Sequence, residues 1–211
     1  SHIPISYAVF CLKKKNARAQ ARQSEEGIPI NKVYALIGPA GSGKSALVKE
    51  LRKHGVPMLV SHTTRPAKAG EQHGVDYYFV NGEQFAQARP FERASYKGYL
   101  FGMTKEEVTQ KLNQYPASTV DIDRGGYEQL KKLIGDRLES IFILVDKETI
   151  FSRFMMNGEK LEDVKARIDY AEANGEYDNW QVADHVVKNT GEVDRAVLQL
   201  LAIMGRVQPI D

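Results

Sequence analysis

The sequence predicts an α/β fold, a parallel sheet flanked by helices, and three neighbouring features of the 211-residue chain carry that prediction. The run Val33-Tyr34-Ala35-Leu36-Ile37 has the length and apolar character of a buried strand. It leads straight into Gly38-Pro39-Ala40-Gly41-Ser42-Gly43-Lys44-Ser45, which reads G-x-x-x-x-G-K-S. Ala46 to Lys53 follows with Leu47, Val48 and Leu51 at helical spacing, and after Gly55-Val56-Pro57 the short apolar run Met58-Leu59-Val60 reads as a second buried strand. Strand, loop, helix, strand is a βαβ unit, so the sheet is expected to be parallel and of the P-loop NTPase type.

That loop is a phosphate site on physical grounds. Its glycines let successive backbone N–H groups face inward, and a helix begun near Gly43 adds its positive end. Lys44 would reach the β/γ-phosphates and the Ser45 hydroxyl would ligate Mg²⁺, which neutralises charge as a phosphoryl group moves.

Composition bounds the rest. At 42% hydrophobic residues the chain can build a normal core. Twenty-nine basic residues against 27 acidic leave a net charge of +2, which argues against a dedicated nucleic-acid or membrane surface. Charge is uneven only at the front: Lys13, Lys14, Lys15, Arg18 and Arg22 against Glu25 and Glu26 give residues 1–30 a net +3. The single Cys11 excludes an internal disulfide framework and suits a reducing, cytoplasmic setting. Ile3 to Leu12 is apolar but too short to span a bilayer, which takes about 20 residues. Residues 1–30 are therefore expected to be a peripheral or partly disordered extension, in part an expression remnant because the chain starts Ser1-His2 without methionine.

Along the remaining chain, Ser61 to Val80 gathers hydroxyls, Arg65 and Lys68 between a strand end and a second short strand, where α/β proteins place ligand groups. Thr104 is expected to cap a helix whose Glu107 completes a T-x-x-E capping box, running to about Gln114 before Pro116. Ala117 to Ile122 reads as a strand, Gly125 to Ile134 as a helix ended by Gly135, and Ser140 to Val145 as a strand. Lys147 to Asn157 reads as a helix stopped by Gly158, and Leu161, Val164, Ile168 and Ala171 form one apolar stripe of the next. Asp184 to Lys188 is the last strand and Glu192 to Met204 the last helix. No internal repeat or low-complexity tract is present.

The phosphate loop, then Ser61-His62-Thr63-Thr64-Arg65, then Gly70-Glu71-x-x-Gly74-x-Asp76-Tyr77, together resemble the guanylate kinase family. The resemblance continues through Phe91-Glu92, Phe101-Gly102, Val120-Asp121-Ile122-Asp123 and Val186-Val187-Lys188-Asn189, and spans the chain from about Lys32 to near its end. It implies a core of residues 31–62, 104–147 and 181–211, a small mixed-β insertion for a nucleoside monophosphate at 63–103, and a helical lid at 148–180. It also implies ATP as donor with Mg²⁺, GMP or dGMP as acceptor, and no nucleic-acid or membrane partner. Ser61, Glu92 and Asp123 would surround guanine, and Arg65, Lys68 and Tyr77 the acceptor phosphate. Asn189 would join the loop on the ATP side, Arg153 and Arg167 would close onto the transferring group, and Asp121 would stand near Mg²⁺ beside Ser45. Residue types fit these roles: carboxylates accept from guanine donors that adenine lacks, and arginine can grip phosphate bidentately where lysine offers a point charge.

Departures concentrate on the acceptor side. Phe101 stands where the family usually has tyrosine and Met103 where it has serine or threonine, so two hydroxyls expected at the GMP site are missing. Lys68 replaces an arginine, Asn157 a lid arginine, Ala46 the usual threonine and Gly125 a glutamine. Three readings therefore stand at this point: a GMP kinase, a guanylate-kinase-like binding module, and a sister kinase with another small acceptor.

Overall fold

The computed structural model describes residues 30–122 and 124–206. Residues 1–29, Asp123 and residues 207–211 lie outside the described residues, and with them the reading of the N-terminal extension. The elements are β1 (Lys32–Ile37), α1 (Lys44–Lys53), β2 (His62–Thr63), β3 (Tyr78–Phe79), α2 (Gly82–Gln87), β4 (Glu92–Tyr96), β5 (Tyr99–Met103) and α3 (Lys105–Gln114). There follow β6 (Ala117–Asp121), α4 (Arg124–Ile134), β7 (Leu138–Leu144), α5 (Lys147–Met156), α6 (Leu161–Ala173), β8 (His185–Lys188) and α7 (Val193–Ile203). Short 3-10 turns at Gly135–Arg137 and Glu176–Gln181 precede β7 and β8.

Strands β6, β1, β7 and β8 form the expected parallel sheet in that order. β1 is central and buried on both faces, which is why its sequence is a continuous apolar run rather than an alternation. Tyr34 and Leu36 meet Leu47, Val48 and Leu51 of α1 and Leu200 and Leu201 of α7 on one face. Val33 and Ala35 meet Val108 and Leu112 of α3 and Leu130 of α4 on the other. Met58-Leu59-Val60, expected to be a strand, makes only a single bridge, Met58 to Thr119 on the outer edge of β6. Leu59 N–H donates to the Thr119 carbonyl and Thr119 N–H to that of Pro57, each at 2.8 Å. Beyond that point Val60 N–H donates to a side chain, the Glu107 carboxylate, and the chain leaves the sheet.

A second, mixed sheet takes up residues 62–103 in the order β3-β2-β5-β4, with β2 and β3 parallel and the other pairs antiparallel. β4 and β5 are joined by Lys97-Gly98, both at positive φ (50° and 80°), the two-residue geometry that matches strand twist. α2 was not anticipated, yet Asn81 and Gln84 form a reciprocal capping box that the pattern N-x-x-Q announces. The box expected at α3 forms only by half: Thr104 accepts from Glu107 N–H, while the Glu107 carboxylate turns away from the helix end.

Met103, expected in the acceptor pocket, closes β5 with its side chain 1% exposed in the core against the face that carries Val33 and Ala35. Its side chain offers almost no surface to a ligand, because β5 runs inward at this end, with Gly102 and Met103 both buried. Among the described residues no helix is long and apolar enough to cross a membrane.

At the other end of the main sheet, Glu139 of β7 accepts from Lys32 Nζ of β1 and is joined at 2.8 Å by His185 Nε2 of β8. The His185 bond, then that of Lys32, hold the carboxyl at about 2 against an ordinary 4.5, with burial opposing. A depressed folded pKa means that ionised Glu139 stabilises the fold above about pH 4.5 and loses that contribution as pH falls toward about 2. Glu139→Gln is expected to lower stability at neutral pH and flatten its fall between these limits; denaturant titrations at stepped pH measure both. Met103→Ala is expected to cost about 2–5 kcal/mol through lost burial and a residual cavity, read from the denaturation midpoint.

Candidate active site

The phosphate loop is built by close packing that only glycine permits at two places. Gly41, at φ 80°, would drive a Cβ to 2.9 Å from Phe154 of α5, and Gly43, at φ 94°, would drive one to 2.5 Å from Asn189 Nδ2. Between them Ser42 is fully buried and its N–H donates to the Pro39 carbonyl at 3.1 Å. The Ser42 carbonyl accepts from Asn189 Nδ2 at 2.8 Å and from Arg153 Nη1 at 3.2 Å. Arg153 Nη1 also reaches the Gly41 carbonyl at 3.2 Å, and its Nη2 reaches that of Asn189 at 2.7 Å. Gly43 caps α1 without any side-chain hydrogen bond and no acidic residue stands in the first turn, so the helix end keeps its affinity for anions.

Lys44 Nζ donates to the Gly38 and Pro39 carbonyls at 2.8 and 3.2 Å. Burial pushes its pKa down, and Asp121 and Glu176 oppose the shift. Asp121, at the C-terminal end of β6, is open to solvent at the foot of the cleft, yet enough protein surrounds it to push its carboxyl up against Lys44 and the Ser45 hydroxyl. Ser45 and Asp121 border the same clefts, which brings together a hydroxyl and a carboxylate: hard oxygen donors of the kind that suit Mg²⁺ sharing its shell with water and phosphate. Among the described residues no cluster of three or more His, Cys, Asp or Glu could hold a metal without such help.

Two clefts open on either side of this pair. One, of about 480 Å³, is lined by Gly41, Lys44, Arg153, Phe154, Asn157 and Asn189. The other, of about 490 Å³, is lined by Ser61, Glu71, Gln72, Asp76, Tyr77 and the outer face of α1. Ser45 and Asp121 line both.

At the second cleft the expected phosphate ligands Arg65 and Lys68 converge on an acid of their own motif, Glu71. Arg65 Nη2 donates to Glu71 Oε1 at 2.8 Å, and Lys68 N–H donates to Oε2 at 2.7 Å. The Arg65 guanidinium also lies over the rings of Tyr77 and Phe79, at 5.4 and 5.7 Å. Burial pushes the Tyr77 hydroxyl up, with Arg65 opposing. Phe101 meets Tyr77 edge to face at 5.8 Å, so it supports that ring rather than presenting a polar group. Lys68 is exposed and half-buried Ser61 lines the cleft. Glu92 opens β4 opposite Met103 and packs close to Gly126 of α4, where an added Cβ would meet its Cγ at 3.3 Å. Asp123 lies outside the described residues. On the lid side, Arg167 pairs with Glu159 at 2.9 Å and lies 5.2 Å over the Phe154 ring, while Arg153 stands at the loop.

Comparison with known proteins places the chain in a family. The family model for guanylate kinase matches residues 30–206. The chain is 30% identical over 187 residues to the guanylate kinase of Porphyromonas gingivalis, covering 82% of this chain and 100% of that one. It is 33% identical over 184 residues to that of Saccharophagus degradans, covering 83% and 88%. The crystal structure of guanylate kinase from Anaplasma phagocytophilum superposes with a TM-score of 0.61 at 21% identity, over 86% of this chain and 89% of that one, which supports the fold. The chain belongs to the guanylate kinase family.

Proposed function

We propose that this chain catalyses ATP-dependent phosphorylation of GMP or dGMP, giving ADP and GDP or dGDP. The observation that carries the reading is the pair of clefts that share Ser45 and Asp121 in front of one phosphate loop. A donor on one side and an acceptor on the other would face each other across the loop, the in-line arrangement phosphoryl transfer needs. An oxygen of the acceptor phosphate attacks the γ-phosphorus as the bond to the β–γ bridging oxygen breaks; no covalent enzyme intermediate is required.

On the donor side the N–H groups of residues 38–45 and Lys44 take the ATP phosphates, with Asn189 and Arg153 holding the loop behind them. Mg²⁺, when bound through Ser45 and Asp121 and their waters, supplies charge neutralisation at the phosphates. On the acceptor side Arg65, Lys68 and Tyr77 take the monophosphate, and Ser61, Glu92 and Asp123 the guanine. Phe101 serves that side by buttressing Tyr77. Residues 63–103 act as the acceptor subdomain on the core of residues 31–62, 104–147 and 181–211. Residues 148–180 are the lid, from which Arg167 reaches the transferring group once it leaves Glu159. The cytoplasm, where nucleotides and reduced thiols coexist, is the setting that fits.

Lys44→Ala is expected to lower kcat by about a hundred- to a thousandfold in a coupled ADP-release assay with little change in thermal midpoint, since Lys44 supplies charge and its ammonium packs on carbonyls rather than in the core. Equal turnover in variant and parent would sink the assignment. Arg65→Ala is expected to raise the GMP KM about ten- to a hundredfold and leave that of ATP nearly unchanged, because a charge-assisted phosphate contact is worth roughly 1.5–3 kcal/mol. If both constants rose together, the division into two sides would be wrong.

A further inference from the structure

Glu107 is a charged residue buried to 4% exposure at the start of α3, and nothing in the phosphate chemistry above uses it. Its sequence position suits a helix cap, but the carboxylate points elsewhere. Oε1 accepts from Val60 N–H at 2.9 Å, Oε2 accepts from the Tyr78 hydroxyl at 3.2 Å, and Lys111 Nζ stands 3.5 Å from Oε1. Val60 is buried at the point where the chain leaves the core, one residue before Ser61 and two before β2. Tyr78 lies in β3, adjacent to Tyr77. One carboxylate thus joins three segments: the core helix, the stretch that leaves the core at Val60, and β3, which Tyr77 directly precedes.

The small sheet has need of such a fastening. β2 and β3 are two residues each, and the backbone bonds that tie the β3 segment to β2 include Tyr78 N–H to Ser61 and Val80 N–H to Thr63, both at 2.9 Å. The His62 ring packs on that of Tyr78 with centroids 4.7 Å apart, so Tyr78 is held by its hydroxyl at one end and its ring face at the other.

We propose that Glu107 is a positioning residue for the acceptor site, a reading that rests on the acceptor assignment above. It fixes where Ser61 and Tyr77 stand relative to Lys44 and Asp121, and it acts through Val60 and Tyr78 without touching a nucleotide. Removing it leaves a buried N–H and a part-buried hydroxyl without this partner and lets the small sheet drift from the loop.

The test measures KM and kcat for GMP and ATP in the full chain and in Glu107→Ala, Glu107→Gln, Tyr78→Phe and the Ala/Phe double variant. Glu107→Ala is expected to raise the GMP KM about tenfold or more while the ATP KM stays within about twofold. Glu107→Gln keeps an acceptor for Val60 and a donor for Tyr78, so it is expected to stay within about threefold of the parent. Tyr78→Phe is expected to fall between, and the double variant to be no worse than Glu107→Ala alone, since both changes break one contact. A Glu107→Ala that lowers thermal stability while moving both Michaelis constants equally, or neither, overturns the proposal, as does a Gln variant as impaired as Ala. If Glu107→Ala does not fold, the Gln and Phe variants decide between the same outcomes. If the parent itself fails to phosphorylate GMP, the proposed function falls on its own. Hydrogen exchange then decides the fastening: faster exchange at residues 78–80 and 100–103 in Glu107→Ala, with β1 and β7 unchanged, supports it, and equal protection overturns it.

Discussion

The Ser42 carbonyl accepts from Asn189 and Arg153 together, and the shape of the phosphate loop depends on that double acceptance. A loop whose N–H groups face a ligand must send its carbonyls backwards, where they need donors of their own. Asn189 follows β8 and Arg153 comes from α5, so the loop is held by the sheet's edge and by the helix after β7 at once. Gly43 matters here for space as much as for conformation, since any side chain would displace the Asn189 amide. The first two features of the sequence, an apolar strand and a glycine-rich turn, therefore work only because residues more than a hundred positions later complete them.

The charges of the cleft are arranged by the same logic. The surrounding protein pushes Lys44 and Asp121 each toward neutrality, and the charge of each opposes the shift of the other. Across the cleft Glu71 performs a comparable service for Arg65, taking its guanidinium edge while Tyr77 and Phe79 take its face. A cation held on two sides keeps its direction, and a phosphate must compete with a carboxylate to engage it.

Local signals in the sequence were enough for the main sheet, the loop and the long helices, because each rests on apolar periodicity or on a capping residue within a few positions. They failed where long-range contact decides. Met58-Leu59-Val60 has a strand's composition, but Val60 finds its partner in Glu107, 47 residues away, and the ladder stops at one bridge. Glu107 has the spacing of a cap, but its carboxylate goes to the buried Val60 N–H instead of the helix end. Met103 has a place in the acceptor motif, yet its side chain packs in the core with Val33, Ala35 and Leu59. Phe101, two residues earlier on β5, stands beside Tyr77. Glu71 is present in the motif and legible as an acid beside two cations, but only geometry shows that the Arg65 guanidinium and the Lys68 backbone N–H engage it.

The two sides of the cleft differ in what holds them, and this bears on where the chain departs from its family. The donor side is gripped through backbone carbonyls of residues 41, 42 and 189, a scheme indifferent to most side chains around it and intolerant of change in the few that donate. The acceptor side hangs from two-residue strands, a buried carboxylate and stacked rings. Ring stacking tolerates the exchange of a tyrosine for a phenylalanine, since the face survives the loss of the hydroxyl. A core position at the end of a strand likewise tolerates methionine, whose flexible thioether fills irregular space. Packing thus offers a substitute for the hydroxyls missing at Phe101 and Met103, whereas no packing contact could replace the hydrogen bonds that hold the carbonyls of Gly41 and Ser42.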